Sequence, residues 1–312
     1  MPISSIRQDG AWVPYQDFVN IKAPNGLPDK NWVRGSNISP RGADYSYASA
    51  WTGLWLNWDW TGKIKRDIDA AVSIGAGGIR LLGALSGVMD GTINQSTYLT
   101  QLVQVAEYCA SQNILFYPCF GDTREFTSGT LPAGIQTWIV AQANAIAPYE
   151  DNLLGIDLAN ELSASLPEYE GPFNAATLTT SVGQWAQAVK TVLPSVRLTT
   201  SNLHDMAGAY TTYAGLDEYL DYYDFHNYAP FYPASVETWS AYKPVMVGEF
   251  GFSRTDPSRA NILKDIADSA QQAKVFACFQ WDICSDNFGM FDENASNLDS
   301  LMHQGWNEFT PS

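Results

Sequence analysis

The chain has 312 residues, 46% of them hydrophobic, enough for one large domain or two smaller ones with a sizeable core. Its formal net charge of −16 makes a surface that repels phosphate backbones and anionic lipids, so neither nucleic acid nor membrane is expected as a partner. No apolar run reaches the roughly 18 residues of a membrane-spanning helix.

Residues 1–30 carry Gly10, Pro14, Pro24, Gly26 and Pro28 and read as an N-terminal cap segment or short hairpin over the floor of a barrel. From residue 31 onward strand-like and helix-like runs alternate. The pattern predicts a strand over 32–37, a helix over 61–75 with Gly75 as its stop, and a second strand over 78–83. A helix over 95–112 then leads to a third strand over 114–120, and a helix over 132–147 to a fourth over 153–160. A helix over 175–193 ends before Pro194, and a fifth strand covers 196–201. A short, poorly periodic helix over 206–220 precedes a sixth strand over 222–228. A short helix over 234–241, a seventh strand over 244–249, a helix over 258–273, an eighth strand over 275–281 and a last helix over 295–307 complete the pattern. Eight strand–helix units without an internal repeat or linker predict an α/β chain: a single-domain (β/α)8 TIM barrel over 31–312.

The four cysteines, Cys109, Cys119, Cys278 and Cys284, allow three pairings, and buried free thiols are an equal alternative. Asn37, Asn94 and Asn294 each begin an Asn-x-Ser triplet, a pattern that arises often by chance. An acidic surface with only 16% charged residues suits an extracellular medium. The start, Met1-Pro2-Ile3-Ser4-Ser5-Ile6-Arg7, lacks the apolar middle of a signal peptide, so a secreted, monomeric protein whose signal peptide is already removed is the expectation.

Two strands end in a glutamate. Leu154-Gly155-Ile156-Asp157-Leu158-Ala159-Asn160-Glu161 and Val245-Met246-Val247-Gly248-Glu249-Phe250-Gly251 are apolar runs, each delivering one carboxylate to its C-terminal end. Burial makes such a group costly unless something uses it. In a barrel of this kind the strand ends face one mouth. Two carboxylates facing each other there suit cleavage of a glycosidic bond, with roughly 5–5.5 Å between them in a retaining enzyme. Glu249 would be the nucleophile, kept ionised by the Arg80 guanidinium and the Tyr228 hydroxyl. Glu161 would be the acid/base, which must keep its proton near neutral pH and so needs an apolar site or a nearby negative charge. Asn160 is placed to hydrogen-bond a sugar 2-hydroxyl, and Trp281 to form the floor beneath the sugar. The 11 Trp and 16 Tyr exceed the needs of a core, and exposed rings suit flat sugar faces. Trp51, Trp55, Trp58 and Trp60 fall in what reads as a loop after strand one, where Trp55 and Trp58 would line the cleft.

The motifs Asn160-Glu161, His226-Asn227-Tyr228, Gly248-Glu249-Phe250-Gly251 and Trp281 resemble those of glycoside hydrolase clan A, the group of barrels that includes family-5 cellulases and mannanases. The resemblance runs from strand one to strand eight. It implies a retaining hydrolase of β-linked glycans, of the β-glucan or β-mannan class, acting on an oligo- or polysaccharide by double displacement without metal or cofactor. It also implies Glu161 as acid/base, Glu249 as nucleophile, Arg80 as the arginine that orients the nucleophile, and His226 and Tyr228 as the pair lining the catalytic subsite. Many family-5 enzymes carry a histidine after strand three; this chain has Phe120-Gly121-Asp122-Thr123-Arg124 there.

Other readings stand beside these. Arg80 also suits an ion pair inside the barrel, with Asp157 as one candidate partner of either Arg80 or Arg197. His226 also suits a core histidine, Trp281 core packing, and the Trp cluster filler between loops. Asp122, Asn202 and Asp282 are candidates for support or specificity. A barrel that binds carbohydrate without cleaving it is the alternative function. A metal-dependent hydrolase is disfavoured because the three histidines, His204, His226 and His303, are poorly placed for a metal triad.

Overall fold

The computed structural model describes residues 5–8, 11–14, 33–40, 47–203, 212–228, 239–240, 242–272 and 275–308. Near the N-terminus β1 (Ser5–Gln8) and β2 (Ala11–Pro14) pair antiparallel as a hairpin. The other strands form one parallel sheet: β3 (Val33–Ile38), β4 (Gly78–Leu82), β5 (Leu115–Cys119), β6 (Ile156–Asp157), β7 (Leu198–Thr199), β8 (Ser201–Leu203), β9 (Tyr223–His226), β10 (Val245–Phe250) and β11 (Ala277–Gln280). They neighbour one another in the order β7-β6-β5-β4-β3-β11-β10-β9-β8. The two ends, β7 and β8, are pieces of one run separated by Thr200, whose carbonyl accepts the Tyr213 hydroxyl at 3.2 Å. The sheet therefore closes as the expected eight-stranded barrel, with its fifth strand broken once.

Helices separate the strands. They are α1 (Tyr47–Leu56), α2 (Lys65–Ser73), α3 (Leu85–Met89), α4 (Gln95–Ser111), α5 (Ile135–Ile146), α6 (Ala175–Val192), α7 (Arg259–Gln272) and α8 (Ser300–Glu308). Asn94 and Asn174 start α4 and α6 by accepting two backbone N–H groups each, so Asn94 has a capping role. No helix among the described residues is long and apolar enough to cross a membrane.

The strands read as nearly unbroken apolar runs because both faces are covered, by helices outside and by packed side chains within. The interior near the strands' N-terminal ends is filled by Tyr117, Tyr222, Met246, Phe276 and Phe279, which belong to one buried cluster. Phe279 presses so close to β3 that a Cβ on Gly35 would lie 2.3 Å from its ring. This plug closes one end and leaves polar side chains at the other.

Several expectations change. The Trp-rich segment is a helix up to residue 56, not a loop, and a π-helical turn, Trp60–Ile64, links it to α2. The fourth strand is regular over Ile156–Asp157, with an isolated bridge from Leu153 to Phe116, because the chain turns away after Asp157 to build the site. All four cysteines are free and buried, and burial pushes their thiols up. Asn37 is 1% exposed inside the barrel, so its triplet is no glycan acceptor. The helix predicted over 206–220 is described from 212 only and is helical over 212–216. His204, most of the helix predicted over 234–241, and residues 15–32 lie outside the described residues.

Candidate active site

Arg80 is the hub. It lies on β4 opposite Asn37 of β3 and Tyr117 of β5, and it is fully buried. Its Nη1 donates to Asn37 Oδ1 at 3.1 Å and Glu249 Oε1 at 2.6 Å. Its Nη2 donates to Asp157 Oδ2 and Asn160 Oδ1, each at 2.8 Å. Burial alone would lower its pKa, but the charges of Glu249 and Asp157 push it well above the usual arginine value. Asp157 thus takes Arg80 as its partner; Arg197 instead donates to the Leu154 carbonyl at 3.0 Å.

Glu249 is placed by an irregularity in β10. The ladder to β9 shifts between Val247 and Glu249, and the ladder to β11 between Val247 and Phe250. Gly248 sits at this bulge. Its N–H goes to Asp224 Oδ1 at 2.6 Å, and its carbonyl accepts Asn37 Nδ2 at 3.0 Å. Bulges re-aim the side chain beside them. Glu249 Oε2 then accepts the Tyr228 hydroxyl at 2.7 Å.

Glu161 is placed by a tight turn after β6. Asn160 N–H donates to the Gly121 carbonyl at 2.8 Å. Glu161 itself takes a left-handed backbone conformation, φ 43° and ψ 50°, which a non-glycine residue adopts only when its surroundings impose it. Ser201 imposes it here: its Oγ accepts the Glu161 N–H at 2.9 Å and donates to Asp157 Oδ2 at 2.7 Å.

His226, at the end of β9, ties the two glutamates together. Its Nδ1 lies 3.0 Å from Glu161 Oε1 and 3.4 Å from Glu249 Oε1. Between two carboxylates Nδ1 must carry the proton. Burial would lower the His226 pKa, yet Glu249 and Glu161 together raise it. One ligand atom from each of Glu161, His226 and Glu249 lies within 4.8 Å of the others, which matches a metal's donor set in spacing. The chemistry does not match. Arg80 already holds Glu249 and the Arg124 Nη1 holds Glu161 Oε2 at 2.7 Å, so a cation entering there would meet two guanidinium groups.

The protonation expected of Glu161 is corrected here. Burial pushes its pKa up, but the His226 hydrogen bond and the charges of His226, Arg124 and Arg80 outweigh burial and bring it down to about 2. The anion of Glu161 is favoured because two guanidinium groups and the His226 N–H meet it.

Asn160 spans Arg80 and Asp122, donating to Asp122 Oδ2 at 3.0 Å. Trp281, half-buried, follows β11; its carbonyl and the Tyr228 ring both approach Gly251, beside Glu249. Trp51 backs it edge-on at 5.9 Å. Two residues fall elsewhere. Trp55 is 1% exposed, stacks on Tyr98 at 4.1 Å and donates to the Leu82 carbonyl, so it is core and no sugar platform. Trp58 stacks between Trp55 and Trp60 and donates to Gln104 of α4, which places it in the seam between helices. Asn202 accepts from the Ser163 N–H and the Thr212 hydroxyl and so braces the loop after Glu161. Asp282 accepts the Ser39 hydroxyl. Sequence reasoning missed Asp224 and the parts played by Asn37 and Arg124. Asn37 and Asp224 end or precede buried strand ends, a signal that was there to use; the direction of the Arg124 loop had none.

No protein-family model matches the sequence, and comparison with curated proteins finds no match. Solved structures do match. An exo-β-1,4-mannosidase, Op5Man5, from Opitutaceae bacterium strain TAV5 is similar over 99% of this chain, at TM-score 0.70 and 17% identity; the chain spans 63% of that protein's length. A GH5_18 protein from Bifidobacterium longum subsp. infantis is similar at TM-score 0.68 and 15% identity, over 89% of this chain and 78% of that one. A β-glucosidase from Thermotoga maritima, solved with azafagomine, is similar at TM-score 0.64 and 12% identity, over 91% and 98%. At these identities what is shared is the fold: the chain carries the (β/α)8 barrel that these glycoside hydrolases have.

Proposed function

We propose that this chain is a retaining β-glycosidase acting on β-linked glucosides or mannosides. The observation that carries the reading is the meeting of Glu161 and Glu249 on one imidazole, with carboxylate oxygens within 4.8 Å, at the C-terminal ends of β6 and β10. That closeness suits direct attack by a carboxylate, since an inverting pair stands roughly 6.5–9.5 Å apart to admit a water. The activities of the structural neighbours, a β-mannosidase and a β-glucosidase, support the sugar class.

Glu249 is the nucleophile. Arg80 and Tyr228 hold it as a carboxylate and aim it. It bonds to the anomeric carbon as the glycosidic C–O bond breaks, and Glu161, after taking up a proton from solvent, gives that proton to the departing oxygen. Water then attacks the same carbon, Glu161 takes a proton from that water, and the Glu249 ester bond breaks. His226 links the two carboxylates through both steps, and Trp281 lies under the sugar.

Aryl β-glucosides and β-mannosides test this. Glu249→Ala is expected to lower release by at least roughly 10⁴-fold. Glu161→Gln is expected to spare kcat/KM for a 2,4-dinitrophenyl leaving group while lowering it roughly 10²–10⁴-fold for poor leaving groups. Full activity of Glu249→Ala would end the reading. Binding of β-glycans without any release of reducing sugar would make the barrel a carbohydrate-binding protein instead.

A further inference from the structure

The loop after β5 sets a fixed positive charge against Glu161. Arg124 is gripped by Asp122: its Nε lies 3.1 Å from both carboxylate oxygens, its Nη2 2.7 Å from Oδ2, and its backbone N–H donates to Oδ1 at 2.7 Å. Asp122 is fully buried and is held in turn by Asn160. The remaining edge of the guanidinium, Nη1, donates to Glu161 Oε2. Glu161 Oε1 is taken by His226. Both oxygens of the carboxylate are therefore engaged by donors, and neither presents a proton.

We propose that Arg124 is a positioning residue of the proton-transfer step: it keeps Glu161 as a base in the resting site, and its bond to Oε2 must break, so that Oε2 can take up a proton from solvent, before Glu161 can act as an acid toward a poor leaving group. The inference rests on the retaining reading above. It makes Arg124 a determinant of specificity. Leaving groups that depart as stable anions need no proton and escape the restriction, whereas sugar and alkyl leaving groups have to displace the guanidinium from Oε2 first.

Among the described residues, the charged and titratable groups facing Glu161 come from four places. His226 on β9, Arg80 on β4 and Arg124 favour the anion; Glu249 on β10 opposes it, and Asp122 behind Arg124 opposes it from a greater distance. Removing the Arg124 charge leaves two cations in place of three, so Glu161 holds its proton to higher pH. The alkaline limb of kcat/KM, where the acid loses its proton, then moves up. Making Asp122 neutral leaves the Arg124 charge less compensated, and the limb moves down.

The full chain is assayed with aryl β-glucosides and β-mannosides graded from dinitrophenol to phenol, across pH. Arg124→Met is expected to raise the alkaline limb by about 1–3 pH units and to raise the phenyl rate about tenfold relative to the dinitrophenyl rate. Arg124→Lys, which keeps the charge, should return both towards the wild-type values, and Asp122→Asn should shift the limb the opposite way. A limb and leaving-group ranking unchanged in Arg124→Met, or Arg124→Lys behaving like Arg124→Met, overturns the role of Arg124. Wild-type release that disappears in Glu249→Ala keeps the function standing in that case, whereas a wild type silent on every glycoside overturns the function itself.

Discussion

Gly248 shows how much a single position carries. A Cβ there would stand 2.3 Å from Asp224 Oδ2, the carboxylate that also receives the Gly248 N–H. Gly248→Ala must push Asp224 away or undo the bulge that aims Glu249. The expected outcome is a loss of about 1–3 kcal/mol of stability, the usual range for overpacking a core, together with a fall in kcat. Urea unfolding and initial rates check it, and an unchanged midpoint with unchanged rates would refute it. The sequence showed Gly248-Glu249 as a strand end because apolar run and carboxylate are adjacent in the chain. The bulge was not legible, since register belongs to the partner strands and not to β10. The aromatic signal failed for a related reason. Trp55 and Trp281 are the same residue type, and only their neighbours separate a core ring on Tyr98 from a half-buried ring edge-on to Trp51.

Among the elements, α7 and α8 are joined through Asp299. Its Oδ1 accepts the Leu301 and Met302 N–H groups at 3.0 Å, capping α8, and its carboxylate pairs with Arg259 of α7 at 2.9 Å. Burial pushes its pKa up, but the Arg259 and Met302 hydrogen bonds win and hold it below the usual carboxylate value. A carboxyl depressed in the folded state contributes stability above its unfolded pKa and loses it as pH falls through the folded one. Asp299→Ala is therefore expected to cost about 1 kcal/mol or somewhat more near neutral pH, with the difference from wild type shrinking towards pH ~3 and below. Melting curves of both proteins at the two pH values measure this; an equal gap at both would count against it. Helices such as α4 and α6 were legible to within a few residues, because periodicity and capping asparagines are local. β6 and the split β7–β8 run were not, because their lengths depend on where the site pulls the chain out of the ladder.

For the molecule as a whole, buried carboxyl groups shape the response to pH, and among the described residues burial raises Asp224, Glu125 and Asp282. Burial pushes Asp224 up to about 7, against the charges of His226 and Arg80, and pushes Glu125 up to about 8, reinforced by Asp122. The unfolded chain releases these protons near pH ~4. Between there and neutrality the folded state binds more protons than the unfolded one, so stability falls as pH rises. Below that window the depressed groups, Glu161, Asp292 and Asp299 among them, lose their contributions as they are protonated. The melting temperature is thus expected to peak on the acid side of neutral. Asp224→Asn should flatten the decline above the peak, and a wild-type melting temperature that keeps rising to pH ~8 would exclude this account.

Chain-local features were enough to establish the alternation of strands and helices, the closed barrel they imply, and the two glutamates at strand ends, since periodicity and a carboxylate closing an apolar run are written in consecutive residues. The tertiary arrangement settled which charges surround those glutamates, where β10 bulges, and that Trp55 and Trp58 pack between helices and barrel. Arg80, Asp122, Arg124, Asp157, His226 and Glu249 meet from five barrel strands and the loops that follow them. Protonation and aim depend on distances of a few ångströms between residues far apart in the chain, which no local pattern encodes.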